Sequence, residues 1–397
     1  MVKLGLDILV DNQMTALKGK RVALLAHPAS VDSQLIHMVD RCIQADINLV
    51  RLFGPEHGIL GAAQDMESVD EEVVDPKLKI PVISLYGTTK DSLFLKPQDL
   101  EGVDVLLCDL QDIGSRYYTF CYTTAFALRA CAQAGVHCMI LDRPNPIVGG
   151  VLEGNVVQKG WDSFVGEYPL CNRHGLTLGE LCHFFQNEDA AAGMPKASME
   201  IVWCEGYRRH MTFAETGLPW VLPSPNMPTI DTALVYPGGC LYEGTNLSEG
   251  RGTTRPFELI GAPYIDDVAQ MAASINGDNL PGVTARPTFF KPMFQKHANA
   301  MCGGIQLHVT DEKTFLPLKT GISVIRAAMA FKGFDWRRDE YEFVSDRLAM
   351  DLLFGHDTPR KMLEGGDSTD AVWAFLENQR DDHDEKNIAV RHAGYDS

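Results

Sequence analysis

The chain has 397 residues, of which 45% are hydrophobic and 22% charged, as is typical of a packed globular protein and not of a disordered or fibrous one. Its formal net charge is −18, from 35 Lys and Arg against 53 Asp and Glu. This balance argues against nucleic-acid binding, which needs a basic face, and against adhesion to an anionic membrane. No apolar run approaches the roughly 18–20 residues of a membrane-spanning helix, and the length predicts two domains.

Ten cysteines are scattered along the chain without a C-x-x-C pair, and several lie in apolar stretches such as VLLCDL. This pattern favours small buried hydrophobic residues in a reducing compartment over a disulfide framework, and it predicts no metal site. The N-terminus, MVKLGLDILVDNQ, lacks the long apolar segment of a signal peptide. We therefore expect a cytoplasmic location for the sequence as it stands, and a periplasmic or secreted one if a signal peptide has been removed.

The first 145 residues alternate between short apolar runs and helical patterns. Strands are predicted over residues 21–27, 47–54, 81–87, 103–110 and 137–143. Helices are predicted over residues 33–45, with Asp32 or Ser33 as the N-cap, and over residues 118–134, ended by Gly135. Apolar strands separated by helices predict an α/β fold, with an open, mostly parallel sheet covered by helices on both faces.

Beyond residue 148 the chain becomes rich in Gly and Pro, which predicts long ordered loops around a few elements. A helix over residues 177–187 should begin with a capping box formed by Thr177 and Glu180, and a strand should follow near residues 199–205. Residues 303–309 read as a strand, residues 321–378 as mostly helical, and the acidic run 381–386 as solvated surface. We predict a larger domain over residues 1–270 and a smaller α+β domain over residues 271–397 that completes a cleft.

Ligands of open α/β sheets bind beyond the carboxyl ends of the strands. Polar, mostly titratable side chains follow five predicted strands at that point: His27; Glu56 and His57; Tyr86; Asp109 and Asp112; Asp142, Arg143 and Asn145. The sequence therefore predicts a functional site at this edge of the sheet.

Several enzyme classes lack their motifs in this chain. No G-x-G-x-x-G follows a strand, and GRGTTR, residues 250–255, lacks the third glycine. There is also no Walker loop, no H-E-x-x-H and no G-x-S-x-G. These absences disfavour a nucleotide-dependent oxidoreductase, a P-loop kinase and a serine hydrolase, and we expect no cofactor.

Two segments at the predicted edge suit acid/base chemistry on a sugar. In FGPEHG, residues 53–58, Pro55 and two glycines pin a turn that presents Glu56, which favours a general acid over a surface glutamate. In DLQDIGSRYYTF, residues 109–120, the polar Asp109, Asp112 and Arg116 accompany aromatic residues, of which Tyr118 is one. Aromatic faces beside carboxylates fit a sugar ring, which has polar edges and C–H faces.

The remaining candidates lie on loops. LDRPNP, residues 141–146, presents Arg143 and Asn145; Arg143 could bind a substrate carboxylate bidentately or form a salt bridge to Asp112 or Asp142. PSPNMP, residues 223–228, and the glycine-rich loop 241–263 supply further polar groups: Asn226, Glu243, Asn246, Ser248, Glu249, Arg251 and Arg255. The carboxylates among the arginines favour a neutral or singly anionic ligand. The residues thus predict a hydrolase or transferase that acts on a polar, ring-shaped substrate.

The ordered motifs FGPEHG, SLYG, DLQDIGSRYYTF, LDRPNP, HGLTLGEL, PSPNMP, YPGG and EGTNLSEGRGTTRPFELIGAP resemble the NamZ (YbbC-like) family of exo-β-N-acetylmuramidases. The resemblance covers most of the chain. It implies a Rossmann-like N-terminal domain, a smaller C-terminal domain and an active site in the cleft between them. It also implies that N-acetylmuramic acid is released from the non-reducing end of peptidoglycan fragments.

By position, the resemblance makes Glu56 the catalytic acid. It places substrate contacts at Arg116, Tyr118, His174, Glu243, Asn246 and Arg251. The turn HPASVD, residues 27–32, and the C-terminal end NIAVRHAGYDS depart from the family pattern.

Two further hypotheses concern the chemistry. Asp112 is predicted to orient the substrate's acetamido group, so that the amide oxygen acts as the nucleophile; Asp109, Glu243 and Glu249 are the other candidates for a second carboxyl group. Arg143 or Arg251 is predicted to pair with the lactyl carboxylate of N-acetylmuramic acid. The competing functions are a non-catalytic sugar- or muropeptide-binding protein and a sugar or phosphoryl transferase that uses the same cleft.

Overall fold

The computed structural model describes residues 1–59, 72–74, 79–380 and 382–396. Its larger sheet contains seven strands: β1 (Arg21–Ala26), β2 (Asn48–Gly54), β3 (Glu72–Val74), β4 (Pro81–Ser84), β5 (Val105–Asp109), β6 (His137–Leu141) and β7 (Met199–Val202). Their order is β3-β4-β2-β1-β5-β6-β7, and every pairing is parallel except that of β3 with β4. The predicted open, mostly parallel sheet is confirmed.

Helices cover both faces of this sheet. The described helices are α1 (Gly5–Asp11), α2 (Met38–Gln44), α3 (Phe120–Ala134), α4 (Leu178–Ala191), α5 (Phe213–Thr216), α6 (Ile230–Gly239), α7 (Val268–Gly277), α8 (Pro317–Ala328), α9 (Ala349–Phe354), α10 (Thr358–Glu364), α11 (Thr369–Glu377) and α12 (His383–Ala389). Val22 and Leu24 of β1 pack with α1 and α2, whereas Ala23 and Leu25 join the core that contains α3 and α4. Alternate residues of one strand are thus buried on opposite faces, as in a Rossmann-like fold.

The switch point of the sheet lies between β1 and β5. Chain order proceeds from β1 through β2 to β4 on one side, and from β5 through β6 to β7 on the other. Loops that leave the carboxyl ends of β1 and β5 therefore diverge and open a crevice, where doubly wound folds bind ligands.

The smaller sheet is antiparallel and consists of β8 (Leu259–Ala262), β10 (Cys302–Val309) and β9 (Val283–Phe290), in that spatial order. Helix α7 packs against β9 and β10, and Met271 and Ile275 of that helix are buried. The predicted domain boundary after residue 270 lies between β8 and β10, which pair with each other. That boundary stays a prediction. Within the described residues, no helix combines the length and the apolar character needed to cross a bilayer.

The start predicted for the helix over residues 33–45 is wrong. The helix begins at Met38, with His37 as N-cap, and not at residue 33. The Oδ1 atom of Asp32 accepts hydrogen bonds from the backbone N–H groups of Gln34 and Ile36, and Leu35 has a φ of 62°. A local side-chain turn thus competes successfully with helix formation.

The end of the chain also differs from expectation. Asp381 lies outside the described residues, but the rest of the predicted acidic surface run is partly internal. His383 begins α12 and is buried against Phe184, and Asn387 of the same helix donates a hydrogen bond to the carbonyl of His174. The capping box of Thr177 and Glu180 and the left-handed Gly135 after α3 are confirmed.

Candidate active site

A cavity open to solvent lies at the carboxyl edge of the larger sheet. Its described lining residues are Glu56, His57, Tyr117, Tyr118, Thr119, Phe120, Ser224, Asn226, Met227, Tyr236, Arg251 and Phe257. The cavity therefore contains five of the side chains that the sequence predicted for the site, which are Glu56, His57, Tyr118, Asn226 and Arg251.

Glu56 projects from a tight turn at the end of β2. The N–H of Gly58 donates to the carbonyl of Pro55 over 2.9 Å, and His57 adopts a left-handed φ of 71°. A β-carbon on Gly54 would lie 2.5 Å from the backbone nitrogen of Ile59, so the turn can fold back on the strand only because residue 54 is glycine. Glu56 is only 7% exposed, and this rigid backbone directs it into the cavity.

Thr119 holds the carboxyl group of Glu56. Its hydroxyl donates a hydrogen bond of 2.7 Å to Oε2, and Thr119 immediately precedes α3. Tyr118 and Phe120 contact each other beside it, with ring centroids 4.8 Å apart, and Tyr118 meets the edge of Tyr236. The carboxyl group therefore lies in a wall of aromatic rings with one oxygen anchored. Burial raises the pKa of the Tyr118 hydroxyl well above its usual range.

Arg251 enters the cavity from the glycine-rich loop. One of its terminal nitrogens lies 2.8 Å from Glu243 and 3.3 Å from Glu249, and its guanidinium carbon lies 5.0 Å from the centre of the Phe257 ring. Glu249 also contacts the ammonium group of Lys296 over 3.1 Å. Burial acts to raise the pKa of Glu249, but Lys296 and Arg251 outweigh it and hold that pKa below its usual range. Glu243 and Glu249 thus position Arg251 and are not among the described residues that line the cavity.

His27, at the end of β1, joins two of the loops. Its Nε2 accepts the backbone N–H of Gln111, so Nδ1 carries the proton and donates to the carbonyl of Pro223 over 3.2 Å. Burial lowers the pKa of His27 to about 3, which keeps the ring neutral in this arrangement. His27 therefore ties the loop that carries Asn226 to the segment that follows β5.

Asp109 and Arg143 pair with each other. Nε and Nη2 of Arg143 donate to the two carboxylate oxygens of Asp109 over 2.6 and 2.8 Å, and both side chains are buried. Arg143 also donates to the carbonyl of Val31. Neither residue is among those that line the cavity with Glu56 in the described part of the chain. The structural salt bridge considered for Arg143 therefore exists, with Asp109 as its partner and not Asp112 or Asp142.

Asp112 contacts His174 and is not in a buried arginine pair within the described structure. Its Oδ2 accepts the N–H of Gly114 over 2.6 Å and lies 3.2 Å from Nε2 of His174. The other ring nitrogen of His174 accepts the N–H of Leu176. Asp112 is not among the described residues that line the cavity, and its Oδ1 has no hydrogen-bond partner in the described part of the chain. It lies close enough to Tyr118 to affect that hydroxyl electrostatically.

Two other predicted contacts lie in the framework. The fully buried Arg116 donates to the backbone carbonyls of three separate segments. Asn145 bridges the carbonyl of Leu176 and the N–H of Ile147. These side chains are bound by the protein's own backbone, which explains their burial.

Asn246 also serves the framework. Its side chain donates to the carbonyl of Gly333 and accepts from the hydroxyl of Tyr264 and the N–H of Asp335. It therefore connects the glycine-rich loop to later segments of the chain and is not among the described lining residues of the cavity.

Sequence reasoning did not single out Thr119, Tyr236, Phe257 or Lys296. Thr119 lies inside the quoted stretch DLQDIGSRYYTF, directly before α3, but its hydroxyl had no visible partner in sequence. Lys296 lies 47 residues from Glu249 along the chain, so only the folded structure reveals the contact.

Comparison with known proteins extends over nearly the whole chain. Residues 22–231 match the family model "Exo-beta-N-acetylmuramidase NamZ, N-terminal", and residues 234–389 match its C-terminal counterpart. The chain is 43% identical over 372 residues to the peptidoglycan beta-N-acetylmuramidase NamZ of Bacillus subtilis (strain 168), covering 94% of this chain and 86% of that protein. Two crystal structures of DUF1343 family proteins from Bacteroides fragilis NCTC 9343 match over 98% of both chains, with TM-scores of 0.86 and 0.76 at 29% and 26% identity.

Proposed function

The chain belongs to the NamZ family of exo-β-N-acetylmuramidases, and on that premise we propose that it hydrolyses peptidoglycan fragments with Glu56 as general acid. The substrate is an oligosaccharide or muropeptide that carries N-acetylmuramic acid at its non-reducing end, and that sugar is released. The ten cysteines are all free and buried, which supports a reducing compartment as the place of action.

The position of Glu56 carries the proposal. Among the described residues that line the cavity, Glu56 is the only one with a carboxyl group. A general acid must reach the oxygen of the leaving group, and Glu56 has one oxygen anchored by Thr119 and is held on a turn of fixed backbone. A non-catalytic binding protein needs no carboxyl group in such surroundings, and a sugar or phosphoryl transferase would need nucleotide or phosphate contacts that the glycine pattern of the chain does not supply.

The reaction follows from this arrangement. Glu56 donates its proton to the glycosidic oxygen as the bond from that oxygen to the anomeric carbon breaks. A water molecule then adds at that carbon and gives a proton back to the carboxylate of Glu56. Glycosidases with two catalytic carboxyl groups hold them about 5–5.5 Å apart for retention and about 6.5–9.5 Å apart for inversion. An N-acetyl sugar can instead supply its amide oxygen as the nucleophile, and a single lining carboxyl group suits that route.

For the second group, Asp112 remains our proposal, as a residue that orients the acetamido group. Asp112 is not among the described residues that line the cavity, whereas Tyr118 is. In this role Asp112 therefore acts on the acetamido group through the hydroxyl of Tyr118, which it affects electrostatically. Analysis of the product by NMR tests the route, since retained anomeric configuration is expected. Inverted configuration would contradict a substrate-assisted reaction and make Glu243 or Glu249, both held by Arg251, the candidates for a base.

Replacement of Glu56 tests the proposed function. Glu56→Gln keeps the shape and the hydrogen bond from Thr119 but cannot donate a proton, so we expect turnover of the natural disaccharide to fall about 10²–10⁴-fold. Part of the activity should survive on aryl substrates with good leaving groups. Glu258→Gln is the matched control, because Glu258 is buried between Thr232 and Arg255, outside the described lining of the cavity. Undiminished turnover by the Glu56→Gln variant, with unchanged circular dichroism, would remove Glu56 from the mechanism.

A further inference from the structure

The hairpin that joins β9 to β10 has an exposed apolar end. Phe289, Met293, Phe294 and Met301 are 62, 63, 40 and 62% exposed, although they lie within 13 residues. Phe289 of β9 pairs with Gly303 of β10, and Met301 directly precedes β10, so both lie at the loop end of the hairpin. Scattered single hydrophobic residues are normal on a surface, but four within one short hairpin form a candidate binding surface.

The same hairpin differs in charge from the rest of the molecule. Residues 279–310 contain no Asp or Glu, although the chain has 53 of them, and they contain Arg286, Lys291 and Lys296. Lys291 is exposed beside the apolar group. A cationic and apolar surface on a protein of net charge −18 fits a ligand that has both carboxylates and hydrophobic faces.

The hairpin is attached to the loop that carries Arg251. The N–H of Met293 donates to the carbonyl of Gly252 over 2.9 Å, and Lys296 contacts Glu249. The ring of His297 is 2.7 Å from the carbonyl of Asn246. Gln295, His297 and Asn299 all have positive φ values, between 57° and 64°. Such backbone costs free energy, so the loop conformation is determined by these contacts.

We propose that this hairpin binds the leaving part of the substrate, a carboxylate-bearing saccharide or glycopeptide, outside the cavity. The inference rests on the proposed function. An exo-acting enzyme holds only the terminal sugar in its cavity, and the remainder of the fragment must lie on the adjoining surface. Phe289 and Phe294 offer faces for sugar C–H groups, the two methionines adapt to irregular apolar shapes, and Lys291 attracts the carboxylates.

The double variant Met293→Ser/Phe294→Ser tests the proposal when it is assayed on two substrates. With a peptide-bearing disaccharide or tetrasaccharide fragment, we expect KM to rise about tenfold while kcat changes little. With an aryl β-N-acetylmuramide, whose leaving group is too small to reach the hairpin, both constants should stay at wild-type values. The matched control is Leu35→Ser/Ile388→Ser, which removes two other exposed apolar side chains far along the chain.

The charge contribution has its own variant. Lys291→Glu should raise KM for the acidic fragment at low ionic strength, and the effect should shrink as salt is added. Equal kinetic changes on both substrates, or unchanged KM for the fragment, would overturn the proposal.

Two other occupants would also overturn it. One is a second copy of the chain, shown by a dimer in light scattering that the double variant lacks. The other is a membrane, shown by sedimentation of the wild type, but not the double variant, with vesicles of phosphatidylglycerol and phosphatidylcholine. Failure of the proposed function gives a different result, because the wild type would then not hydrolyse the aryl muramide. In that case the affinities of the wild type and the double variant for the fragment, measured by calorimetry, would still test the hairpin.

Discussion

At the scale of single residues, the chemistry of the cavity depends on how Glu56 is held. The hydroxyl of Thr119 donates a hydrogen bond to Oε2 and so fixes the orientation of the carboxyl group. Thr119 is therefore a positioning residue.

Thr119→Val should lower kcat for the natural disaccharide about tenfold and leave KM nearly unchanged. The variant keeps the shape of the side chain but loses the hydrogen bond that orients the carboxyl group of Glu56, and one hydrogen bond of about 1–1.5 kcal/mol corresponds to about that change in rate. Thr119→Ser should restore the wild-type kcat. Thr124→Val is the control, since Thr124 donates to the carbonyl of Phe120 within α3 and is not among the described lining residues. A lower Tm with unchanged kcat would show that Thr119 only supports the fold.

Arg251 is the second residue whose role in substrate recognition can be tested separately from its role in stability. It is the only Lys or Arg among the described lining residues, whereas Arg143 is occupied by Asp109. Arg251→Lys keeps the charge but loses the planar fork, so the ratio of kcat/KM for muramyl over glucosaminyl substrates should fall about tenfold. Arg143→Lys should destabilise the protein and leave that ratio unchanged. If Arg251→Lys slows both substrates equally, the lactyl carboxylate is recognised elsewhere.

At the scale of elements, the sequence predicts the strands but not the ion pairs between the side chains that follow them. Continuous apolar runs such as VLLCDL identify β5 because both of its faces are buried. The carboxyl-edge rule then placed Glu56, Asp109 and Arg143 at one edge, as the structure does. It could not show that Asp109 and Arg143 satisfy each other, because two polar groups at one edge can face a ligand or each other with the same sequence.

The same limit applies to α2 and to the loops. Asp32 was a reasonable N-cap, but its carboxylate closes a local turn and the helix starts at Met38. Arg116 and Asn145 lie in motifs that suggested substrate contact, and both are bound by backbone groups of segments far away in the chain. Such long-range contacts leave no local pattern to read.

Asp142 gives an element-scale prediction about stability. It follows β6 and accepts hydrogen bonds from the N–H of Gly179 at the start of α4 and from the hydroxyl of Tyr395 near the C-terminus. Burial raises its pKa from 3.8 to about 7. The folded state therefore keeps a proton that the unfolded state releases, and this contribution to stability is complete below pH 3.8 and is lost as the pH rises through about 7.

Asp142→Asn should remove this dependence. The amide is neutral at every pH and can accept from Gly179 while donating to Tyr395. The Tm of the variant minus that of the wild type should increase as the pH rises from about 4 to 7, and then level off. Thermal melts followed by circular dichroism at a series of pH values measure it. Parallel Tm curves for the two proteins would contradict burial as the cause.

At the scale of the whole molecule, the segment around residues 153–155 connects the regions that carry the two sheets. Glu153 accepts the N–H of Leu318 at the start of α8, and Asn155 donates to the carbonyl of Phe354 at the end of α9. Glu153 also forms a buried pair with Arg173. Contacts of this kind are buried and directional, so the two parts should unfold together even though each has its own sheet.

Arg116 makes this coupling testable. It donates to the carbonyls of Asn155 over 2.5 Å, Leu170 over 3.0 Å and Leu353 over 2.7 Å, so it binds both parts of the chain at once. Arg116→Met preserves much of the volume but removes a donor from three buried carbonyl groups, of which that of Leu353 keeps only a long contact of 3.5 Å from Asn172. We expect the free energy of unfolding in urea to fall by about 3–5 kcal/mol, because each buried group bears a desolvation penalty of about 1–3 kcal/mol.

Calorimetry of the wild type should show one transition whose calorimetric and van't Hoff enthalpies agree. The folded fraction of Arg116→Met should keep the wild-type ratio of muramyl to glucosaminyl activity, because Arg116 is not among the described lining residues of the cavity. A changed ratio would return Arg116 to the substrate-contacting role that its motif suggested. Two separate transitions in the wild type would instead show that these contacts are too weak to couple the sheets. A loss of unfolding free energy below about 0.5 kcal/mol, the size of an ordinary surface substitution, would show that the three carbonyls find other donors when the guanidinium is removed.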